Sequence, residues 1–419
     1  MCVLIGIVLA AGEGKRLRPL TETRPKALVP VAGKPVVYYS LDLLARLGVK
    51  EIYVVVSYMK ELVVESVKKI ANELLIDVKF VDQENTLGTG HAVKKVVEKT
   101  LDDAVIVYGD LYLNPVSISN SMKPLVEKKI NTLVGVRVSN ISKYGKLIVE
   151  GDRVLGIAEK PAESGEGLAN AGIYFVKSNI LGLVNNLKTS PRGEYELTDI
   201  VSIARDRGEE FKYITIDSSD WQDIGYPWDL LKANRLALEK LSERKILGDV
   251  SIYTTIKGRV YIEEGATIKG CTYIEGPAYI GNDATIGPNA YIRPYTTILS
   301  KAHIGFSTEV KESIVMEETH AAHLTYIGDS IIAEKVNLGA GTKLANLRFD
   351  EKTVKMVIEG MAIDSGRKKL GAVIGGHVKT GINVSIMPGV KIGSYSIIYP
   401  GVTVYRDVPP KTVVKKDWV

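Results

Sequence analysis

"IEEGATIKGCTYIEGPAYIGNDATIGPNAYIRPYTTILSKAHIGFSTEV", Ile262 to Val310, carries one aliphatic residue at every sixth position: Ile262, Ile268, Ile274, Ile280, Ile286, Ile292, Ile298, Ile304 and Val310. An α-helix, at 3.6 residues per turn, cannot keep that spacing on one face, and a flat strand repeats every two residues. A coiling chain can, with one short strand per six residues and each aliphatic side chain turned into a prism. Gly281, Gly287, Gly305 and Gly393, each following an aliphatic residue, suit tight corners. The period resumes at Tyr326, Ile332, Leu338 and Leu344, and again at Ile374, Thr380, Ile386, Ile392, Ile398 and Val404. The expected C-terminal fold is therefore an all-β parallel β-helix of hexapeptide repeats over residues 251–419. It is broken by an insertion at 345–373, where a small hairpin is expected in "NLRFDEKTVK" and the residues after it.

Upstream the texture differs. "VLIGIVLA", "EIYVVV" and "AVIVYGD" read as buried strands, and "PVVYYSLDLLARLG" and "KELVVESVKKIANEL" as helices. Strands alternating with helices predict an α/β domain over 1–227 with a mostly parallel, Rossmann-like sheet. Residues 228–250, beginning "WDLLKANRLALEKL", read as a helical linker. Sites in such sheets lie at the carboxyl ends of strands, so the loops after Leu9 and Tyr108 should line one site.

The bulk numbers narrow the function classes. Over 419 residues, 45% are hydrophobic and 25% charged, the balance of a globular protein with more than one core. A net charge of +5 without a dense Lys/Arg block gives no case for nucleic acid. Cys2 and Cys271 alone make neither a disulfide framework nor a CxxC metal site. No basic-then-apolar leader precedes the first strand, and no apolar run is long enough for a bilayer. A cytoplasmic location with no membrane partner is the expectation.

The first strand leads into "LAAGEGKRLRPLTETRPKALVPVAGKP", Leu9 to Pro35. It is not a G-x-x-x-x-G-K-[ST] loop, because Leu9 and Arg16 stand where that pattern needs Gly and Ser or Thr. It is not a dinucleotide fingerprint, because Leu17 stands where the third glycine belongs. What remains is a loop that Gly12 and Gly14 open to a ligand, followed by Lys15, Arg16, Arg18, Arg24 and Lys26.

The stretch resembles the signature of the sugar-1-phosphate nucleotidylyltransferases, L-A-A-G-x-G-x-R-[LM] followed by P-K-x-L-x-P-[VI]-x-G-K-P. Further pieces follow in that family's order: "QENTLGTGHAV" from Gln83, "YGD" ending at Asp110, "EKP" from Glu159, "NAGIYFV" from Asn170, and "WQDIGYPWDL" with Asp223. The resemblance implies that a sugar-1-phosphate oxygen attacks the α-phosphorus of UTP or dTTP and pyrophosphate leaves. That nucleophile is already an anion, so the reaction needs cations and positioning rather than a general base. It implies Arg16 on the triphosphate and Lys26 on the phosphates of both substrates, with Leu9, Ala11, Gly12, Gln83, Gly88 and Thr89 around the nucleotide. Gly145, Glu159 and Asn170 would take the sugar, Lys160 its phosphate, and Asp110 and Asp223 a Mg²⁺ ion.

Four of the five histidines lie in the repeat half: His303, His320, His323 and His377. "AHLTYIGD" (Ala322 to Asp329) and "VNLGAGT" (Val336 to Thr342) resemble motifs of the bifunctional N-acetylglucosamine-1-phosphate uridylyltransferase/glucosamine-1-phosphate acetyltransferases. That resemblance implies a left-handed β-helix, a homotrimer, and a second reaction with acetyl-CoA, in which His323 is the general base. A neutral imidazole can take the proton that an amino sugar's ammonium must lose before it attacks a thioester. Tyr326, Asn337 and Asn346 would contact the amino sugar, and Arg293 and Lys311 its phosphate. Lys352 and Lys355 are candidates for substrate or CoA phosphates. Ile382 replaces a serine of the bacterial pattern, so CoA contacts do not carry over. The alternatives are a single nucleotidylyltransferase with a β-helix that only oligomerises or regulates, and a non-catalytic assembly subunit.

Overall fold

The computed structural model describes residues 4–415, and Cys2 lies outside them. The chain forms two compact units. One holds residues up to Glu13, Pro25–Leu28 and Pro35–Asp223, and the other Gly14–Arg24, Val29–Lys34 and Ile224 onward.

The first unit is built on a nine-stranded sheet. Its parallel part runs Asp77–Asp82, Glu51–Val56, Leu4–Leu9, Asp103–Tyr108. These strands are continuous apolar runs because both faces are covered, one core packing under helices Val36–Arg46 and Lys60–Leu74 and another around helix Thr89–Val97. Beyond them the directions mix, although Phe211–Ile216 pairs parallel with Thr132–Val138. Gly167–Val176 runs antiparallel to Asp103–Tyr108, and Thr132–Val138, Phe211–Ile216, Arg153–Ala158 and Lys146–Glu150 complete a mixed sheet. Lys146–Glu150 and Arg153–Ala158 are joined by Gly151 and Asp152 alone, too short for a crossover, so that pair must be antiparallel. Because Leu4–Leu9 lies between Glu51–Val56 and Asp103–Tyr108, the chain leaves three neighbouring strand ends together. The links are Gly109 N–H to Leu9 O (2.9 Å), Ala10 N–H to Val55 O (2.9 Å) and Gln83 N–H to Val56 O (2.9 Å).

In the second unit, helix Pro227–Glu239 precedes a parallel β-helix whose first strand is Lys245–Ile246. Two faces are eight-stranded sheets. The third is a five-stranded and a three-stranded run, bridged where Asn337 pairs with His320 and Lys379. The inward column, Ile262 through Val310, is essentially unexposed. The expected phase fails after Val310. The inward residues are Val315, Ala321 and Ile327, and Tyr326 is half-buried beside the column. Ile286 pairs with Ile304, eighteen residues on, but Ile304 pairs with Ala321, seventeen residues on, so these coils are one residue shorter. Coils stack too closely for a side chain at some corners: a Cβ on Gly305 would lie 2.1 Å from the carbonyl oxygen of Ala322. The expected insertion hairpin is present as Lys355–Ile358 against Met361–Asp364, with Met356 and Ile358 buried.

The second unit also takes up the basic segment after the glycine loop. Arg24 lies between Glu317 (2.5 Å) and Glu334 (3.3 Å), with its side chain 18% exposed. Burial opposes its charge, yet the two carboxylates hold its pKa above the ordinary arginine value. Burial also pushes Glu334 up, but Arg24 and Thr23 outweigh it and leave its carboxyl below the usual glutamate range. Glu22 accepts from the Ser394 N–H (2.7 Å), and Asn234 Oδ1 accepts from the Ala32 N–H (2.9 Å).

Two outcomes test this packing. Ile286→Ala should lower unfolding free energy by about 3 kcal/mol in urea titration, since the prism cannot collapse on the cavity. Arg24→Met should cost about 3 kcal/mol at neutral pH by leaving Glu334 uncompensated. Glu334 has a depressed folded pKa, so its pairing stabilises above the usual glutamate range and is lost as pH falls through the folded value. The gap between wild type and Arg24→Met in thermal melts should therefore narrow in acid.

Candidate active sites

The chain leaving Leu9, Asp82 and Tyr108 lines a cavity of about 280 Å³. Leu9, Ala11, Gly12, Gln83, Gly88, Thr89 and Asp110 all line it, as the motifs predict. Of its lining glycines, Gly88 is the one the backbone requires. Gly88 has φ +102°, and a Cβ there would meet the Tyr195 carbonyl oxygen at 2.6 Å. Backbone bonds from Tyr195 N–H to Leu87 O (2.8 Å) and Gly90 N–H to Tyr195 O (2.7 Å) hold the loop against that chain segment. Thr89 Oγ1 accepts from the Leu197 N–H (3.0 Å), which fixes the start of helix Thr89–Val97. Gln83 is 3% exposed and its Nε2 donates to the Gly88 carbonyl at 3.0 Å.

Lys26 is largely buried, and its Nζ donates to Asp110 Oδ2 at 2.5 Å. Strand Trp221–Asp223 pairs with Leu111–Leu113 so that Asp223 stands opposite Leu111, the residue after Asp110. Both carboxylates thus sit at one end of a two-stranded ribbon. Two hard oxygen donors fit an ion that keeps waters and takes its other ligands from substrate phosphates. Arg16 is placed in the second unit, its guanidinium 5.0 Å from the ring centroid of Tyr226.

Gly145, Glu159 and Asn170 also come together. Asn170 N–H donates to Gly145 O (2.8 Å), and a Cβ on Gly145 would lie 3.1 Å from Glu159 Oε1. Glu159 accepts from Thr198 Oγ1 at 3.0 Å, and burial pushes its carboxyl above the ordinary range. Asn170 reaches the Tyr174 hydroxyl at 2.5 Å, which lies 3.4 Å from that of Tyr108 in the cavity wall. Lys160 is exposed with φ +44°, at the mouth of the 160–166 loop. Thr198 and Glu194 lie in no motif and were not read from the sequence; Tyr108 opens the "YGD" motif, where only Asp110 was given a role.

In the β-helix the candidates fall into two groups. Arg293, Lys311, Tyr326 and Asn346 gather on one face. Asn346 Nδ2 lies 3.2 Å from the Tyr326 hydroxyl and 2.5 Å from Asp329, and Lys311 donates to Asp329 at 2.8 Å. Arg293 pairs with Glu309 at 2.9 Å, in the coil below Tyr326. Asp329, 1% exposed, is the hub; Arg367 from the insertion reaches it at 3.2 Å and Glu312 at 2.8 Å. Asp329 closes the "AHLTYIGD" motif and was legible there; Arg367 has no signal in a single sequence. His323 is exposed at the end of strand His320–His323, around the Leu324 corner from Tyr326. Asn337 stands one coil on from His320, not from His323. Lys352 and Lys355 are exposed, and no hydrogen bond or ion pair among the described residues joins them to the Asp329 cluster. His303 and His320 meet edge to face at 5.9 Å, and His377 stacks on Tyr395 at 4.6 Å, contacts of a structural ladder.

Among the described residues no helix is long and apolar enough to cross a membrane. The nucleotidyl transferase family model matches residues 5–240, the GMPPB C-terminal domain model 274–366, and the bacterial transferase hexapeptide model, six repeats, 371–406. A bifunctional sugar-1-phosphate nucleotidylyltransferase/acetyltransferase of Sulfurisphaera tokodaii is 47% identical over 96% of this chain and 97% of its own length. The bifunctional protein GlmU of Methanocaldococcus jannaschii is 40% identical over 98% and 97%. A low-salt glycan biosynthesis nucleotidyltransferase of Haloferax volcanii is 33% identical over 80% and 94%. With both halves matched in one alignment to relatives that carry two activities, the chain belongs to the family of bifunctional sugar-1-phosphate nucleotidylyltransferase/acetyltransferases.

Proposed function

We propose that the first unit joins UTP or dTTP to N-acetylglucosamine-1-phosphate or glucose-1-phosphate, and that the second acetylates glucosamine-1-phosphate or galactosamine-1-phosphate with acetyl-CoA. UDP-N-acetylglucosamine is the product of the two reactions in sequence. The working form is a cytoplasmic homotrimer. The observation that carries the two-reaction reading is the gathering of Lys311, Tyr326 and Asn346 around buried Asp329, one corner from His323. A coil that served only as scaffold has no use for such a cluster.

In nucleotidyl transfer a phosphate oxygen of the sugar-1-phosphate attacks the α-phosphorus. The new P–O bond forms as the bond to the β-phosphate oxygen breaks, and pyrophosphate leaves. Leu9, Ala11, Gly12, Gln83, Gly88 and Thr89 hold the nucleotide. Gly145, Glu159 and Asn170 hold the sugar, and Lys160 its phosphate. Lys26 and Arg16 balance the charge of the two substrates. Asp110 and Asp223 would hold Mg²⁺, which would supply further charge neutralisation at the phosphates.

In acetyl transfer, His323 takes a proton from the sugar ammonium. That proton passes to solvent; the free amine attacks the thioester carbonyl, a C–N bond forms, the C–S bond breaks, and the second proton shed by the nitrogen goes to the departing thiolate. Arg293 and Lys311 bind the sugar phosphate, while Tyr326, Asn337 and Asn346 orient the ring. Lys352 and Lys355 serve the phosphates of the substrate or of CoA.

His323→Ala should lower acetyl transfer by at least about a hundredfold while nucleotidyl transfer stays within about twofold. A wild-type chain that acetylates neither amino sugar phosphate overturns the second activity. Asp110→Asn and Asp223→Asn should each cut pyrophosphate release by about a hundredfold or more and leave acetylation untouched. A panel of sugar-1-phosphates against UTP and dTTP ranks the substrates.

A further inference from the structure

Gln83 is fixed at both ends. Its backbone N–H is bonded to Val56 O, and its side-chain Nε2 donates to the Gly88 carbonyl at 3.0 Å. A carbonyl can only accept, so the amide nitrogen and not the oxygen must occupy that place. The same Nε2 lies 3.3 Å from His91 Nδ1. A second N–H bond there requires a lone pair on Nδ1, and so a neutral imidazole with its proton on Nε2. With both amide hydrogens committed, Oε1 is the group left to the cavity that Gln83 lines, and no described residue donates to it.

We infer that His91 is a positioning residue: by accepting from Gln83 Nε2 it presents Gln83 Oε1 to the nucleobase as an acceptor, so the site takes uracil or thymine, which carry a ring N3–H, and rejects cytosine, whose N3 is bare. This rests on the reading of the cavity as the nucleoside triphosphate site. Were His91 absent, the Gly88 carbonyl alone would hold the amide, Oε1 would be aimed less firmly, and the two classes of base would be less well told apart.

The surroundings of His91 keep it in the required state. Burial, then Lys95, lower its pKa below the ordinary histidine value, with Lys94 adding to this and Glu98 and Glu84 opposing. Lys94, Lys95 and Glu98 are on its own helix or directly after it, Glu84 is on the loop that follows strand Asp77–Asp82, and the Tyr195 ring lies 6.3 Å away. Protonation in acid would turn Nδ1 into a donor facing another donor.

The test uses the full chain and pyrophosphate release with N-acetylglucosamine-1-phosphate, UTP and CTP, across neutral to acid pH. In the wild type, kcat/KM should favour UTP over CTP by about a hundredfold, and KM for UTP should rise as pH falls through the His91 pKa. His91→Phe keeps the ring and loses the acceptor: KM for UTP should rise about tenfold, kcat stay within about twofold, and the UTP/CTP ratio fall about tenfold. His91→Asn puts an oxygen acceptor where Nδ1 was and cannot titrate. It should keep the wild-type ratio while the acid rise in KM disappears. A His91→Phe enzyme with an unchanged ratio, or a His91→Asn enzyme as impaired as His91→Phe, overturns the inference. A wild type that releases pyrophosphate from no nucleoside triphosphate overturns instead the reading of the cavity, and the inference falls with it.

Discussion

Each coil of the β-helix must give its backbone hydrogen bonds to the coils on either side, in a register that leaves one aliphatic side chain per face pointing inward. Everything else in the second unit follows from that. Pairs such as Ile268 with Ile286 and Ile286 with Ile304 keep the inward column in line, and slipping by one residue would turn it out to solvent. The chain must also change direction three times per coil. It does so through residues in the left-handed region, among them Asp283, Asn289, Lys301, Glu318 and Leu324. For residues other than glycine that conformation is disfavoured by about 1–2 kcal/mol each, and the stacked coils hold it in place. The corners are also where side chains are free to face outward, and the corner at Leu324 separates His323 from Tyr326.

The two units meet different chemical demands with different materials. Nucleotidyl transfer starts from an anion, and the first unit's cavity is lined by glycines and by Asp110, which carries Lys26. The one histidine beside them, His91, faces an amide and not a phosphate. Amine acetylation must remove a proton, and the second unit offers an exposed imidazole next to a polar cluster. Buried Asp329 there cannot swing away from Lys311, Asn346 and Arg367, so it fixes their relative positions more firmly than a surface carboxylate could.

The β-helix was legible because its period is local: each six-residue unit states its own inward residue. The phase slip was not, because Tyr326 sits at the expected spacing and is apolar enough to pass, while the true inward residue, Ile327, is its neighbour. The parallel half of the sheet was legible from strand and helix alternation. The mixed half was not, since short strands joined by turns have no helical period to mark their direction. Leu9, Ala11, Gly12, Gln83, Gly88, Thr89 and Asp110, which line the cavity, lay in motifs, whereas Glu194 lay in none. Arg24 was read only as one cation among several near the glycine loop, and its burial depends on Glu317 and Glu334, which lie about three hundred positions away. Lys352 and Lys355 were singled out for their charge in an insertion, and the structure leaves them exposed on the hairpin and its approach.

One arrangement recurs at the candidate phosphate-binding cations. Lys26 rests on Asp110, Arg293 on Glu309, and Lys311 on Asp329. Bare cations crowded for a polyanion would repel one another and destabilise the folded chain before any substrate arrived. A carboxylate partner removes that repulsion and fixes each cation's direction. The cost differs with exposure. Glu309 keeps 35% of its side chain in water, and such a pair contributes under about 1 kcal/mol, so Arg293 can turn to an incoming phosphate at little loss. Asp329 is almost wholly buried, so separating Lys311 from it would leave that charge to Arg367 alone. In the proposed role, Lys311 would meet a phosphate without leaving Asp329, using a second of its three N–H donors. Of the two, Arg293 would be the cation able to follow the proposed substrate, and Lys311 the one that sets where it must come.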